Sequence, residues 1–242
     1  MGGSYAYITA GAGVVILNLK NPLEPVVAAV IPLKGARSTA LQLRYLAVTD
    51  DTGLRMVNVT IPERARLVES AFVPLEDADR IQIARTYAYV AAGREGLVIV
   101  EIENPEKPKV YLKFTANGTL NDVRDVTVAS TNASAFAYVA DGRNGLKVIQ
   151  LTAPDTQPKF YGFSPEPKPQ VVAWRKTRTP ALPLSRALER DRAVDETGGQ
   201  VAVFGRIGSR PLNLEEQRKM YLKPDGTPWT VRDNPEPSQK KP

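Results

Sequence analysis

The 242-residue sequence contains no cysteine and no histidine, and only 7% of its residues are aromatic. The absence of cysteine excludes disulfides, thiolate nucleophiles, iron–sulfur clusters and cysteine-ligated zinc. The absence of histidine removes the commonest general base, the usual zinc ligand and the proximal ligand of most haem groups. The sequence therefore lacks the residue sets that most cofactor sites require, and we predict no cofactor.

Long hydrophobic runs are also absent, since no apolar run approaches the roughly 20 residues that a helix needs to cross a bilayer. We therefore predict no membrane span. The segment Met1–Tyr5 carries no positive side chain and leads directly into strand-like sequence, which differs from a secretory signal. A chain without cysteine is compatible with either side of a membrane, so the compartment stays open.

Positive charge is concentrated in the last third of the chain. Residues 1–164 carry 17 Lys and Arg against 16 Asp and Glu, whereas residues 165–242 carry 15 against 10. A nucleic-acid site would cluster such cations with exposed aromatic residues on one face. Here they are scattered among prolines and acids, which indicates a solvated basic tail and argues against nucleic-acid binding.

Internal repetition is the main feature of the sequence. Four segments align with one another, and they begin at Tyr5, Tyr45, Tyr87 and Phe136. In each, a glycine opens the second apolar run and a proline ends it, and both series have spacings of 40, 43 and 49 residues. The repeat marks are Gly13, Gly53, Gly96 and Gly145, with Pro22, Pro62, Pro105 and Pro154. Because two residue types keep one register, the repeat is structural.

Each unit has the pattern of β structure. In the third, Tyr87–Ala92 and Leu97–Ile102 are rich in aromatic and β-branched residues, and the glycine-bounded segment 93–96 predicts a hairpin between them. A preceding strand over Arg80–Ala84 and a following one over Lys109–Thr115 make four strands in about 44 residues, the size of a propeller blade. The second apolar run is apolar on both faces, as expected between stacked sheets. We predict an all-β protein with four β-propeller blades.

The third unit also carries a recognisable motif. Leu97-Val98-Ile99-Val100-Glu101 follows Tyr87–Ala91 and precedes Asn104–Pro108. This arrangement resembles the LVIVD-repeat family, and the other units match it with substitutions across residues 5–164. The resemblance implies a β-propeller, typically in bacterial or archaeal surface or secreted proteins. It implies no catalytic residues.

The number of blades stays open, because the first unit begins at its second strand. A strand at Gln200–Phe204, within a degenerate fifth blade, can complete the first one. Alternatively, the chain is the C-terminal part of a larger ring and can self-associate. We expect propeller repeats over residues 1–208 with a Pro-rich basic insertion at 165–191. Residues 209–242 are expected to form a short helix, Asn213–Leu222, and a disordered tail.

Candidate metal ligands occur in two turns, Asp50–Gly53 and Asp141–Gly145. Neither turn has the spaced carboxylates of a calcium loop, and Arg143 places a positive charge in the second. Asp and Asn commonly bond their own turn backbone, so we predict a structural role and no metal site.

Turn tips provide the candidate contact surface. Residues at these tips either line one rim and touch a partner or are ordinary exposed turn residues. They are Asp50, Asp51, Arg94, Glu95, Arg143 and Asn144. We favour a non-enzymatic scaffold or binding module for a protein or a surface polymer. The alternative is a metal-dependent propeller hydrolase or lactonase that uses Asp, Glu and Asn at the central channel.

Overall fold

The computed structural model describes residues 4–130, 134–153, 164–185, 206–207, 210–211 and 213–227. The chain divides into two compact units, Met1–Ser185 and Arg186–Pro242. The repeat mark Pro154, the candidate strand Gln200–Phe204 and the predicted tail beyond residue 227 lie outside the described residues.

Four antiparallel sheets make up the described part of the first unit. The first sheet consists of β1 Tyr5–Ala10, β2 Gly13–Asn18 and β3 Val26–Pro32. The second consists of β4 Ser38–Gln42, β5 Tyr45–Asp50, β6 Gly53–Asn58 and β7 Arg66–Pro74. The third consists of β8 Ile81–Ala84, β9 Tyr87–Ala91, β10 Leu97–Glu101 and β11 Lys109–Phe114. The fourth consists of β12 Asp125–Ser130, β13 Ala135–Ala140, β14 Leu146–Thr152 and β15 Gln170–Arg175.

These sheets confirm the predicted all-β class. Strands that follow one another in sequence pair with one another, and the predicted hairpin joins β9 to β10 with Leu97 opposite Ala91. One strand was missed: β15 lies within the segment predicted to be a Pro-rich insertion, and it pairs with β14. Its sequence contains the apolar run Val171–Trp174, but prolines at 165, 167 and 169 precede that run and give the segment the composition of an insertion.

Hydrophobic clusters fill the space between consecutive sheets. Representative members are Ile16 and Leu46 between the first and second sheets, Met56 and Val90 between the second and third, and Ile99 and Ile149 between the third and fourth. Strand β10 shows why its sequence is apolar on both faces. Val98 and Val100 belong to one cluster, whereas Leu97 and Ile99 belong to the next. Each such side chain contributes about 1.5–3 kcal/mol when it is fully buried.

The first strands of the complete sheets lie on a common side of the stack. Strand β8 contacts both β4 and β12, and β4 also contacts β1. Meandering four-stranded sheets that stack face to face with adjacent inner strands are the blades of a β-propeller. The last strand of each blade forms its outer edge.

The four repeat glycines stand at or just before the start of the strand that pairs with the outermost strand of each sheet. All four have positive φ, with values of +120° at Gly13, +149° at Gly53, +83° at Gly96 and +90° at Gly145. A Cβ atom at Gly96 would overlap the carbonyl oxygen of Phe114 on the neighbouring strand, and the other three would overlap an equivalent carbonyl. Any side chain at these positions would therefore push the outer strand away.

The second unit is described only in short pieces. Strand β16 Arg206–Ile207 pairs with β17 Arg210–Pro211, and helix α1 spans Leu214–Tyr221. The backbone N–H of Glu216 donates to Asn213 Oδ1 at 2.9 Å, and the N–H of Asn213 donates to Glu216 Oε2 at 2.8 Å. This capping box explains why the helix begins directly after Asn213.

Candidate binding surface

The turns that lead into the glycine-marked strands lie at one end of the stack, which we call the rim. The turn Ala92–Gly96 and the turn Asp141–Gly145 close in the same way. The N–H of Ala92 donates to Gly96 O at 3.0 Å, and the N–H of Asp141 donates to Gly145 O at 2.8 Å. The predicted contact residues exposed or partly exposed on the rim are Asp51, Arg94, Glu95, Arg143 and Asn144.

Asp50 differs from the other five residues because it is buried, with 1% exposure. Its Oδ1 accepts the backbone N–H groups of Thr52 at 2.7 Å and Gly53 at 2.9 Å, and its Oδ2 accepts Arg55 Nε at 2.6 Å. Burial opposes ionisation, but the hydrogen bonds from Thr52 and the charge of Arg55 outweigh it and lower the pKa of Asp50. Asp50 therefore holds its own turn together and cannot reach a partner.

A similar buried pair supports the fourth sheet. Asp141 is fully buried and its carboxylate contacts the Lys147 ammonium, which also donates to the carbonyl of Thr119. The same carboxylate accepts the backbone N–H of Asp122 at 2.8 Å. It thereby fixes the turn relative to the segment that leads into the sheet.

Exposed charge remains at two turn tips. The Glu95 carboxylate already has partners within the fold, because it pairs with Lys113 and accepts the backbone N–H of Glu76 at 2.9 Å. Arg94 and Arg143 occupy corresponding positions in neighbouring turns, and both are exposed. Within the described residues neither guanidinium forms an ion pair, so both are available to a ligand.

A row of alternating charges, which we call the rim ladder, crosses three sheets. It consists of Asp51, Arg37, Asp77, Arg124 and Asp122 in spatial order. Arg37 bonds Asp51 Oδ1 at 3.0 Å and Asp77 Oδ1 at 2.8 Å. Arg124 lies 3.5 Å from Asp77 Oδ2 and bonds Asp122 Oδ1 through Nε at 2.8 Å. Asp77 thus bridges guanidinium groups that belong to different sheets.

Sequence reasoning missed the two arginines of the rim ladder. The sequence offered a signal, because Arg37 directly precedes the inner strand β4 and Arg124 directly precedes the inner strand β12. Each donates its N–H to the second strand of its own sheet, to Thr49 O and Ala140 O respectively, both at 2.8 Å. Asp79 occupies the corresponding place in the third sheet and donates to Ala91 O at 2.8 Å.

The acids near the rim ladder have shifted pKa values in opposite directions. Burial raises the pKa of Asp79, and the nearby Arg37 and Arg80 offset only part of that effect. Burial acts in the same sense on Asp122, but the N–H of Arg143 and the guanidinium of Arg124 outweigh it and lower the pKa. The ladder therefore stabilises the ionised form of Asp122. The ionised form of Asp79, by contrast, is less favourable than that of an ordinary aspartate.

Two concave regions adjoin the turns of the third and fourth sheets. The first, of about 1160 Å³, lies on the rim and includes Arg94, Asp122 and Arg143 among its lining residues. The second, of about 790 Å³, lies between the outer strands and is lined by Phe114, Trp174 and several amide side chains. We call the second region the outer groove.

Neither a metal cluster nor a membrane-spanning helix is found in the part of the chain that the structure describes. No group of three or more Asp and Glu residues there is placed to hold a metal ion. No helix there is long and apolar enough to cross a membrane.

Comparison with protein families identifies the repeat. The model of the LVIVD repeat matches residues 76–116 and 122–155, which contain most of the third and fourth sheets. The chain therefore carries LVIVD repeats in its third and fourth sheets. The resemblance predicted from the motif in the third unit is thereby confirmed. A comparison with curated proteins finds no match.

Solved structures similar to this chain include two longer chains. The β-propeller domain of Cps50 (Swd1) from Myceliophteria thermophila is 13% identical with a TM-score of 0.48, and the match covers 74% of this chain and 53% of that one. A protein from Lactobacillus plantarum is 10% identical with a TM-score of 0.47, and the match covers 73% and 52%. The chain therefore spans about half the length of each.

Proposed function

We propose that this protein is a non-enzymatic binding module that holds a protein or a surface polymer at its rim. The observation that carries the proposal is the pair Arg94 and Arg143, which are exposed at corresponding turn tips beside a concave region. Charged side chains that a fold does not use for its own ion pairs are available for recognition. Their repetition on adjacent blades gives a ligand two equivalent points of attachment.

The carboxylates of the rim ladder support a binding role over a catalytic one. Asp51, Asp77 and Asp122 are all held by guanidinium groups in the rim ladder. A hydrolase of the metal-dependent kind would need such acids free to bind a cation or to transfer a proton. The rim ladder instead uses them to connect neighbouring blades.

Charge reversal on the rim tests the proposal. The chain is immobilised and exposed to cell extract and to isolated surface polymer from its source, and retained material is quantified. We expect Arg94→Glu/Arg143→Glu to retain much less than the unaltered chain. A matched control is Arg44→Glu/Arg85→Glu, which makes the same charge change in exposed turns at the opposite end of the sheets.

The catalytic alternative is tested on the same protein. Metal content is measured after dialysis, and hydrolysis of ester and lactone substrates is followed with and without a chelator. The binding proposal expects no turnover in either condition. Turnover that a chelator abolishes, together with a stoichiometric metal ion, would contradict the proposal, as would equal retention by the rim variant and its control.

A further inference from the structure

The outer groove combines an aromatic side chain, amide groups and cations without a carboxylate. It lies between β11 with the turn that follows it and β15, the outer strands of the third and fourth sheets. Its lining residues include Arg143, Lys147 and Lys176 but no Asp or Glu. Lys147 is neutralised by Asp141, whereas Arg143 and Lys176 form no ion pair within the described residues. The groove therefore presents positive charge to a ligand.

Trp174 gives the outer groove a fixed aromatic surface. The residue is 58% exposed, yet its indole Nε1–H donates to the carbonyl of Asn144 at 2.6 Å. Because this bond holds the ring in place, little side-chain entropy remains to be lost when a ligand binds. An exposed, oriented indole offers a ligand an electron-rich face that attracts weakly positive C–H groups and cations.

Amide side chains supply the polar contacts of the outer groove. The Asn144 Nδ2–H donates to Asn121 Oδ1 at 2.9 Å, so these two amides are fixed relative to each other. Asn117 and Gln170 also line the groove, and an amide both donates and accepts hydrogen bonds. Adjacent hydroxyl groups on a sugar ring match such amides, since each hydroxyl both donates and accepts a hydrogen bond.

We propose that the outer groove binds a polysaccharide that carries carboxylate groups, such as a polyuronate. The C–H face of a sugar ring packs on Trp174, hydroxyl groups bond the amides, and a carboxylate meets Arg143, whose guanidinium suits it in two-point contact. Single-stranded nucleic acid fits less well, because a phosphate backbone requires a cation at each step, whereas Lys147 is already paired with Asp141. This inference rests on the proposed binding function and names the ligand class for a surface that adjoins the rim.

Tryptophan fluorescence provides the test. The sequence contains two tryptophans, so Trp229→Phe leaves Trp174 as the single reporter in the full chain. Oligogalacturonate is titrated into this variant, and its fully methyl-esterified form serves as the uncharged ligand. We expect a saturable fluorescence change with the acid form and binding at least about tenfold weaker with the ester, which removes the charge-assisted hydrogen bonds.

Substitutions in the chain complete the test. Lys176→Gln is expected to weaken oligogalacturonate binding severalfold, and Trp174→Ala, followed by calorimetry, to abolish it. The matched control is Lys20→Gln, an exposed lysine on the first sheet, which should leave binding unchanged. Circular dichroism establishes that each variant is folded.

Two outcomes would overturn the inference. One is the absence of saturable binding by folded protein, and the other is tighter binding of oligodeoxythymidylate or poly-glutamate than of oligogalacturonate. The proposed function is judged separately by the single variant Arg94→Glu, because Arg94 lies outside the outer groove whereas Arg143 lines it. If Arg94→Glu lowers retention while oligogalacturonate fails to bind, the ligand class is wrong and the rim function stands.

Discussion

The buried pair of Asp141 and Lys147 makes a quantitative prediction about the stability of the fourth sheet. In Lys147→Val the Asp141 carboxylate keeps its backbone donors but loses its counter-ion at a site with no exposure. Breaking a buried ion pair on one side costs about 3–5 kcal/mol of unfolding free energy. We expect a loss of this size for the single substitution.

The third sheet shows what the double substitution should do. At the positions that correspond to Asp141 and Lys147 it has Ala92 and Val98, both fully buried. In Asp141→Ala/Lys147→Val the uncompensated charge disappears, and the main loss is the acceptor for the N–H of Asp122. A backbone group left unpaired costs about 1–3 kcal/mol. The double variant should therefore be more stable than Lys147→Val by about 2 kcal/mol.

Urea unfolding, followed by tryptophan fluorescence and circular dichroism, measures these differences. Lys113→Val is the control, since Lys113 pairs with Glu95 while 44% exposed. An exposed pair contributes at most about 1 kcal/mol, so this variant should change little. If the losses from Asp141→Ala and Lys147→Val simply add in the double variant, the pair is not behaving as coupled buried charges and the reasoning is refuted.

Further predictions concern the repeat glycines, the rim and the first sheet. Gly96→Ala should lose about 1–3 kcal/mol more than Gly118→Ala in urea unfolding, because both have positive φ but only Gly96 lacks space for a Cβ; equal losses would contradict this. Asp79→Asn should raise the melting temperature at pH 7, and the gain should vanish as pH falls towards 3.8, because the folded pKa lies above that ordinary value; a gain independent of pH would exclude ionisation as the cause. If the chain self-associates through the far face of the first sheet, where Ile8 is 45% exposed, Ile8→Lys should abolish dimers seen by light scattering while Val110→Lys does not.

The strands could be predicted because their signals are local. Turn chemistry, the glycine and proline marks, and apolar runs all act within a few residues, and each unit repeats them. The burial of β10 on both faces also follows from its sequence, since a strand with one wet face would alternate. By contrast, the apolar run Val171–Trp174 of β15 directly follows three closely spaced prolines and lies outside the glycine and proline marks of the repeat, so its segment has the composition of an insertion.

The rim ladder and the outer groove could not be predicted in the same way, because they join residues that are distant in sequence. Arg37 and Asp77 are separated by 40 residues and meet only after two sheets have stacked. Trp174 reaches the carbonyl of Asn144 across 30 residues. Each residue alone has the character of an ordinary exposed loop or edge residue. Arg94 and Arg143 could be predicted as turn-tip residues, because their positions depend on the hairpins alone.

The contact between each turn tip and the segment that leads into the same sheet shows how a repeat can keep a structure while exchanging residues. In every complete sheet one partner is a glycine and the other an aspartate, and a Cβ on the glycine would overlap that carboxylate. The pairs are Gly35 with Asp51, Gly93 with Asp77 and Gly142 with Asp122. In the second sheet the tip supplies the aspartate, whereas in the third and fourth sheets it supplies the glycine. The carboxylate occupies the space that a Cβ on the glycine would need, so one of the two positions carries the side chain and the other is glycine, in either order. When the repeats are aligned position by position, this exchange looks like sequence variation. Every complete sheet nevertheless supplies one carboxylate to the rim ladder.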